Sequence, residues 1–186
     1  MPHNLLLTGR PGIGKTTVIR RVLEGLPPLR LGGFTTAEIR GPRGRLGFRA
    51  AALGGPEIVL AHVDFPGPYR VSAYGVDVAA FERAILPLLD PRREEVELFI
   101  VDEIGKMECF STLFQRLVRQ LLDDPRPLLG SIALRGPALI EEVRRRPDVE
   151  LVEVTPANRS GLPEEILRRL RPWLEWRDRL KPGGKR

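Results

Sequence analysis

The chain has one cysteine, few lysines and no long apolar run. The single cysteine, Cys109, excludes a disulfide within the chain and leaves no set of thiols for a cysteine-based metal site. No apolar stretch approaches the roughly 20 residues of a membrane span, and the segment 1–4 lacks the basic start of a signal peptide. These absences predict a cytoplasmic protein that has no membrane partner.

Positive charge comes almost entirely from arginine. The formal net charge is +6, and the only lysines are Lys15, Lys106, Lys181 and Lys185. A basic surplus is typical of nucleic-acid contact, but these arginines are dispersed among acidic residues, and no basic strand is interleaved with aromatic residues. A polyphosphate substrate would also be favoured by positive charge. Nucleic acid is therefore an alternative partner and not the favoured one.

Apolar strands alternate with helices along the chain, which predicts an α/β protein with a mostly parallel sheet covered on both faces. The predicted core strands are Leu5–Thr8, Glu97–Val101, Leu128–Leu134 and Glu150–Thr155. The predicted helices are Lys15–Gly25, Val78–Leu89 with Asp77 as N-cap, Ser111–Leu122, Pro137–Arg146, and Pro163–Leu180 with an interruption at Pro172.

A different pattern lies between the first two helices. Three alternating runs, separated by turns of glycine and proline, predict a hairpin or a three-stranded antiparallel meander over Gly33–Arg40, Leu46–Leu53 and Glu57–Val63. We therefore expect a single domain over 1–180 with a small antiparallel β insertion over 31–63. The basic tail 181–186 is expected to be flexible.

A phosphate-binding loop follows the first predicted strand. Residues 9–16 read GRPGIGKT and complete the pattern G-x-x-x-x-G-K-[ST] between a strand and a helix. The glycines let backbone amides approach the phosphates closely, the lysine reaches the β- and γ-oxygens, and the threonine hydroxyl ligates Mg²⁺. The predicted nucleotide-binding residues are Gly9, Arg10, Pro11, Gly12, Ile13, Gly14, Lys15, Thr16 and Thr17, with Lys15 also catalytic and Thr16 also a metal ligand.

An acid pair, Asp102 and Glu103, follows the second core strand. Ligands of α/β sheets lie beyond the carboxyl ends of the strands, so an acid here is the expected carboxylate for Mg²⁺. Because Mg²⁺ keeps several waters, the Thr16 hydroxyl and a water-bridged Asp102 are sufficient protein ligands. Glu103 is predicted to be the catalytic group that orients, or takes a proton from, the water attacking the γ-phosphate.

Four further segments carry a more specific pattern. They are VDEIGKME at Val101–Glu108, GFTTAEIR at Gly33–Arg40 followed by Gly47-Phe48, YGVDV at Tyr74–Val78, and VTPANR at Val154–Arg159. Together they resemble the small nucleoside-triphosphatases first described in thermophiles, also called the cancer-related NTPase family. The resemblance implies a P-loop NTPase with a RecA-like sheet, in which an extra strand separates the phosphate-loop strand from the Asp102 strand. It also implies slow, base-tolerant hydrolysis of ribo- and deoxyribonucleoside triphosphates.

Basic residues at the predicted ligand edge are candidates for phosphate contact. Lys106 lies just past the acid pair and is a candidate catalytic residue; the alternative is a surface lysine paired with Glu108. Arg135 follows the third core strand and is a candidate catalytic sensor of the γ-phosphate. Arg40, on the β-rich segment, is a further candidate, and its alternative is a solvated charge at a sheet edge.

The loop after the last predicted strand holds Asn158 and Arg159, which are predicted to flank the nucleobase. Asn158 can hydrogen-bond a base edge while Arg159 lies over the base face, and a stacking contact suits a base-tolerant site. The alternative is an ordinary turn with a helix cap at Ser160.

Three functions fit a phosphate-binding loop in this chain. A hydrolase is favoured because a glutamate beside the metal-supporting acid positions water rather than an acceptor substrate. A small-molecule kinase would need a mobile lid, whereas the segment 31–63 is mostly β and apolar. A nucleotide-gated module that binds RNA or protein would hydrolyse only when a partner supplied the missing charge. We therefore predict a Mg²⁺-dependent nucleoside triphosphatase, active as a monomer on nucleoside triphosphates.

Overall fold

The computed structural model describes residues 3–180. Its strands are β1 (Asn4–Thr8), β2 (Leu31–Gly41), β3 (Gly44–Ala52), β4 (Glu57–His62), β5 (Arg70–Val71), β6 (Tyr74–Val76), β7 (Leu98–Ile104), β8 (Leu128–Ile132) and β9 (Val149–Glu153). Its helices are α1 (Lys15–Gly25), α2 (Val78–Ala84), α3 (Thr112–Asp123), α4 (Ala138–Arg144) and α5 (Leu162–Leu180), with short 3₁₀ helices at Leu86–Leu89 and Glu108–Phe110. The predicted tail 181–186 lies outside the described residues.

The strands form one sheet in the order β5-β6-β4-β3-β2-β7-β8-β1-β9. The half made of β2, β7, β8, β1 and β9 is parallel throughout. Strand β8 lies between β1, which leads into the phosphate-binding loop, and β7, which carries the acid pair. This is the extra strand that the family resemblance implied, and the predicted P-loop NTPase fold is confirmed.

Strand β2 belongs to both halves of the sheet. Its segment Leu31–Phe34 pairs in parallel with Leu98–Val101 of β7. From Phe34 onward it pairs with β3 in antiparallel register as far as the Gly41–Gly44 turn. The β-rich segment over 31–63 is therefore hydrogen-bonded to the core and extends the same sheet past the acid pair.

Helices cover both faces of the sheet because strand side chains alternate between them. Helices α1 and α5 pack on the face that presents Leu5, Leu7, Leu98, Ile100 and Leu129. Helices α2, α3 and α4 pack on the opposite face, against Leu6, Phe34, Phe99, Val101 and Leu128. Each fully buried side chain of this size contributes about 1.5–3 kcal/mol of transfer free energy. Within residues 3–180, no helix combines the length and apolar character needed to cross a membrane.

Local sequence patterns predicted several helix ends correctly. Helix α1 has the predicted bounds, and the predicted N-cap Asp77 accepts a hydrogen bond from Ala80 N at 2.8 Å. Ser111, which was expected to open the next helix, accepts one from Phe114 N at 3.0 Å. These capping oxygens satisfy amides that have no partner inside the helix.

Two predictions at prolines were wrong. The helix expected over Val78–Leu89 is divided at Ile85, and the 3₁₀ turn that follows carries a proline near its start, which cannot donate an amide hydrogen. Conversely, α5 continues through Pro172 without interruption. Because Pro172 is exposed, solvent can reach the carbonyl that the proline leaves unpaired. The short hairpin of β5 and β6 was not predicted, since strands of two and three residues carry almost no periodicity.

Gly130 of β8 provides a test of the close packing between β7 and β8. A Cβ at this position would lie 2.3 Å from the carbonyl oxygen of Val101. Gly130→Ala should therefore lower the free energy of unfolding by about 1–3 kcal/mol in urea titrations. The control is Gly161→Ala, where nothing lies within 4 Å of the added carbon and the expected change is below about 1 kcal/mol. Equal effects of the two substitutions would contradict this packing.

Candidate active site

The loop 9–14 joins β1 to α1 in a conformation suited to a phosphate group. Gly9, Gly12 and Gly14 have φ values of +141°, +76° and +111°, which side chains rarely adopt. Gly14 is the N-cap of α1, and no side chain caps the first turn. The amides of this turn are therefore free of any side-chain acceptor and are available to an anion.

The Lys15 side chain is folded over this loop. Lys15 is only 8% exposed, and its ammonium group donates to the carbonyl oxygen of Gly9 at 3.2 Å. The ammonium has this carbonyl as a hydrogen-bond acceptor and could donate further bonds to an anion bound in the loop. The loop and its lysine together form a cationic cradle.

Asp102 lies in the carboxyl-terminal half of β7 and is fully buried. The Ser131 hydroxyl donates to Oδ1 at 2.6 Å, while Oδ2 has no hydrogen-bond partner among the described residues. Burial raises the pKa of Asp102, and Ser131, the Thr16 hydroxyl, the Thr36 amide and the charge of Lys15 oppose that rise. A buried carboxylate oxygen without a partner, with the Thr16 hydroxyl close by, fits a hydrated divalent cation.

Glu103 follows Asp102 and is less buried than its neighbour. Burial raises the pKa of Glu103, the charge of Asp102 raises it further, and the charge of Lys15 lowers it. The pairing of β7 with β8 is interrupted between Val101 and Ile104, where the two acids are joined by a cis peptide bond. The structure thus brings Lys15, Thr16 and both acids to one edge of the sheet.

Glu108 is a third acid at this edge, and the sequence had suggested it only as an alternative surface partner of Lys106. It is 5% exposed, and a Cβ on Gly105 would lie 2.7 Å from its Oε2 and 3.4 Å from Oε1 of Glu103. Burial raises the pKa of Glu108 to about 8, with the charges of Glu103 and Asp102 adding to the effect. A surface pair between Lys106 and Glu108, left open from the sequence, is wrong because only Lys106 is exposed. The available signal was the position of Glu108 in the chain, directly between the apolar residues Met107 and Cys109.

The three candidate phosphate-contacting cations, Lys106, Arg135 and Arg40, are all exposed. Lys106 and Arg135 are both exposed, after β7 and β8 respectively, and the Lys106 Cγ lies 3.5 Å from the position of a Cβ on Gly136. Arg40 is four residues beyond Thr36 on β2, or about 13 Å along a strand. There it is 71% exposed and pairs with Glu38 at 2.5 Å.

A cavity of about 290 Å³ lies between α1 and the loop after β9. It is lined by Ile13, Gly14, Thr17, Val18, Arg21, Arg159 and Ser160. Arg159 therefore faces the phosphate-binding loop. The Asn158 amide is occupied within its own loop, because Oδ1 accepts from Thr155 N and Nδ2 donates to Glu153 O, both at 2.8 Å. Arg21 was not singled out from the sequence, although its position on α1 after Thr17 is one turn from the loop.

The structure shows neither a reactive thiol at this edge nor, within residues 3–180, a cluster of metal-binding side chains. Cys109 is a buried free cysteine, and burial raises the pKa of its thiol to about 12, which keeps it protonated. Among residues 3–180 there is no group of three histidine, cysteine or acidic side chains placed to hold a metal. A cation here would depend on hydroxyl, carboxylate, water and substrate oxygens, which is the coordination that Mg²⁺ prefers.

The raised pKa of Glu108 predicts a pH-dependent stability. Between its unfolded value of about 4.5 and its folded value of about 8, the folded chain holds a proton that the unfolded chain has lost. The contribution of Glu108 to the free energy of unfolding therefore falls as pH rises, by up to about 1.4 kcal/mol per pH unit. Glu108→Gln cannot ionise, so its stability relative to the parent should increase from pH 5 to pH 8 in urea titrations. Glu24→Gln, at an exposed position, is the control and should show no such change with pH. If the stability of Glu108→Gln relative to the parent did not change with pH, the burial of Glu108 would be contradicted.

Comparison with known proteins agrees with this arrangement. A family model described as NTPase matches residues 4–167. Nucleoside-triphosphatase THEP1 from Thermotoga maritima is 39% identical over 163 residues, covering 88% of this chain and 92% of the relative. The human cancer-related nucleoside-triphosphatase is 38% identical over 184 residues, covering 90% and 96%. The crystal structure of THEP1 from Aquifex aeolicus superimposes with a TM-score of 0.80 at 38% identity, covering 90% of this chain and 98% of that one. This chain therefore belongs to the NTPase family that includes THEP1 and the human cancer-related enzyme.

Proposed function

We propose that this chain is a Mg²⁺-dependent nucleoside triphosphate phosphohydrolase with slow turnover and broad tolerance of the base. Its relatives are named nucleoside-triphosphatases, which supports the reaction class. The observation that carries the proposal is the buried Asp102 carboxylate, whose free oxygen shares the sheet edge with Lys15, Thr16 and Glu103. A metal-supporting acid beside a partly exposed glutamate is an arrangement for directing water at a phosphate.

The phosphates would occupy the loop 9–14. Its amides and the ammonium of Lys15 would accept the negative charge that builds on the β- and γ-oxygens during cleavage. Because the loop conformation and the buried lysine are formed before the ligand arrives, little reorganisation is needed at the moment of reaction.

The metal would be held by the Thr16 hydroxyl and, through a water, by Asp102. When bound, Mg²⁺ supplies neutralisation of charge on the phosphate oxygens. Ser131 fixes the Asp102 carboxylate by donating to Oδ1, while Oδ2 has no hydrogen-bond partner among the described residues. Ser131 would therefore act as a positioning residue for the metal-supporting acid.

Glu103 would orient the attacking water for in-line displacement at the γ-phosphorus. Its carboxylate accepts a proton from that water as the new P–O bond forms, the bond to the bridging oxygen breaks, and the nucleoside diphosphate leaves with the electron pair. Glu103 is only partly buried, so its carboxylate is open to solvent. Asp102 is less suited to this role because it is fully buried and bonded to Ser131.

The base would lie in the cavity between α1 and the loop after β9. Arg21 and Arg159 line it and can stack on any base face, since a stacking contact does not read the base edge. Asn158 holds its own loop instead of offering a free amide. This division of roles supports broad base tolerance and assigns the base contact to Arg159 rather than Asn158. We further propose a monomer in the cytoplasm, with nucleic acid not required.

The proposal predicts phosphate release from purified protein and Mg²⁺ for ATP, GTP, CTP, UTP and the deoxynucleotides, without any acceptor or RNA. Transfer of phosphate to an added nucleoside would instead support a kinase. Release that appears only with RNA or a partner protein would support the gated module. Omission of Mg²⁺ should abolish release from every triphosphate.

Two substitutions test whether this activity belongs to the proposed site. Glu103→Gln should lower turnover by about 10²–10³ while nucleotide affinity measured by calorimetry stays close to that of the parent. Lys15→Ala should weaken both nucleotide binding and turnover, because the lysine contacts the phosphates before and during the reaction. Glu24→Gln, an exposed change on α1, is the matched control. Parental turnover in Glu103→Gln would remove Glu103 from the mechanism.

A further inference from the structure

A second, larger cavity opens at the same edge of the sheet but on the opposite face from the Arg159 cavity. Its volume is about 550 Å³, within the usual range for small-molecule sites. Its walls come from the β5–β6 hairpin, from the segment after β7 and from the segment after β8. One wall residue, Cys109, belongs to the core beneath α2 and α3, whereas Val18 of the Arg159 cavity belongs to the core beneath α1 and α5. The proposed nucleotide site therefore leaves this cavity unused.

Two cations line the cavity, and its wall contains no carboxylate. Arg70 donates to the carbonyl oxygens of Phe65 at 3.0 Å and Ala73 at 2.8 Å, which holds its guanidinium in one orientation. Lys106 is exposed and has no ion pair among the residues that the structure describes. A third cation, Arg135, directly precedes the wall residue Gly136. This distribution of charge favours an anionic group.

Apart from Ser72, the rest of the cavity wall is apolar, and exposed apolar side chains lie beside it. Val71, Phe110 and Pro137 line it. Tyr69 is 44% exposed with its ring 5.3 Å from that of Phe110. Exposed large hydrophobic residues are rare in the described chain, and Leu134, at 41%, is another of them, two residues before Gly136. Exposed apolar side chains gathered beside a pocket are typical of a binding surface.

The cavity adjoins the hydrolytic acids. Lys106 directly follows Gly105, whose position for a Cβ lies 3.4 Å from Oε1 of Glu103. The same lysine packs beside Gly136 on the other wall. A molecule held by Lys106 would therefore lie on the far side of the Gly105 turn from Glu103, at the γ-phosphate end of the proposed nucleotide site.

We propose that this cavity binds a second small molecule, one that combines an aromatic or apolar body with a phosphate or carboxylate group, while the nucleotide occupies the phosphate-binding loop. Arg70 and Lys106 bind the anionic group, and Val71, Phe110 and Tyr69 contact the apolar body. The inference rests on the proposed function only for the position of the nucleotide. It adds to the chain a ligand site distinct from the one that hydrolyses the triphosphate.

The test uses phenyl phosphate as the probe, with phenol and inorganic phosphate as its two halves. Each is titrated by calorimetry into protein saturated with Mg²⁺ and a nonhydrolysable ATP analogue, so that the phosphate-binding loop is filled. Phenyl phosphate should bind at least about tenfold more tightly than either half, because only the whole molecule uses both the cations and the apolar wall. Equal affinities for phenyl phosphate and inorganic phosphate would contradict the apolar contact.

Variants locate the binding. Lys106→Met, an exposed change that leaves the core intact, should weaken phenyl phosphate binding about tenfold, and Tyr69→Ser should weaken phenyl phosphate but not inorganic phosphate. Arg70→Met should act like Lys106→Met, although it also removes two bonds that hold the hairpin, so its melting temperature is measured alongside. Arg43→Met, an exposed change in the β2–β3 turn, is the control and should have no effect.

Three further results would overturn the inference: no binding to the nucleotide-saturated protein, displacement of the bound ATP analogue by phenyl phosphate, or unchanged binding in Lys106→Met. Displacement would show that the probe had entered the phosphate-binding loop. Failure of the proposed function is separate, because it would appear as absent phosphate release from triphosphates whether or not phenyl phosphate binds.

Discussion

Burial of the Asp102 carboxylate removes it from water, and this desolvation has to be offset by groups on neighbouring strands. Strand β8 supplies the Ser131 hydroxyl, and β1 leads into the loop whose Lys15 acts on the carboxylate by its charge. One carboxylate oxygen is still without a hydrogen bond among the residues described. The strand order β7-β8-β1 thus assembles a site that is electrostatically incomplete until a cation and a polyphosphate occupy it.

Three acids, Asp102, Glu103 and Glu108, lie within seven residues of the chain but in different surroundings. Asp102 is fully buried but has a serine donor and a lysine charge nearby, Glu103 is partly open to solvent, and Glu108 is buried with no cation among the groups that shift its pKa. For Glu108, burial and the charges of Glu103 and Asp102 all favour the protonated form and raise its pKa to about 8. The proposed assignment of metal support to Asp102 and water activation to Glu103 follows from the bond of Asp102 to Ser131 and the partial exposure of Glu103.

The sequence was informative where function or local structure depends on adjacent residues. The phosphate-binding loop, the start of α1 and the caps Asp77 and Ser111 depend on contacts within a few positions, and each leaves a recognisable pattern. The bond between Ser131 and Asp102 depends instead on strand order and register, which no local pattern contains. The burial of Glu108 and the position of Arg21 in the wall of the base cavity also depend on packing between elements that are far apart in the sequence. For β2, the alternating pattern was visible, whereas its pairing with β7 was not.

The most direct test of this account is the Mg²⁺ dependence of nucleotide binding in Asp102→Asn. The substitution keeps the shape of the side chain and removes the charge that the cation would neutralise. Calorimetric titration of a nonhydrolysable ATP analogue over a series of Mg²⁺ concentrations should show that the variant needs about 10–100-fold more Mg²⁺ than the parent for half-maximal enhancement of affinity. Asp64→Asn, at an exposed carboxylate, should match the parent. The same Mg²⁺ dependence in Asp102→Asn and in the parent would contradict the central role of the buried carboxylate.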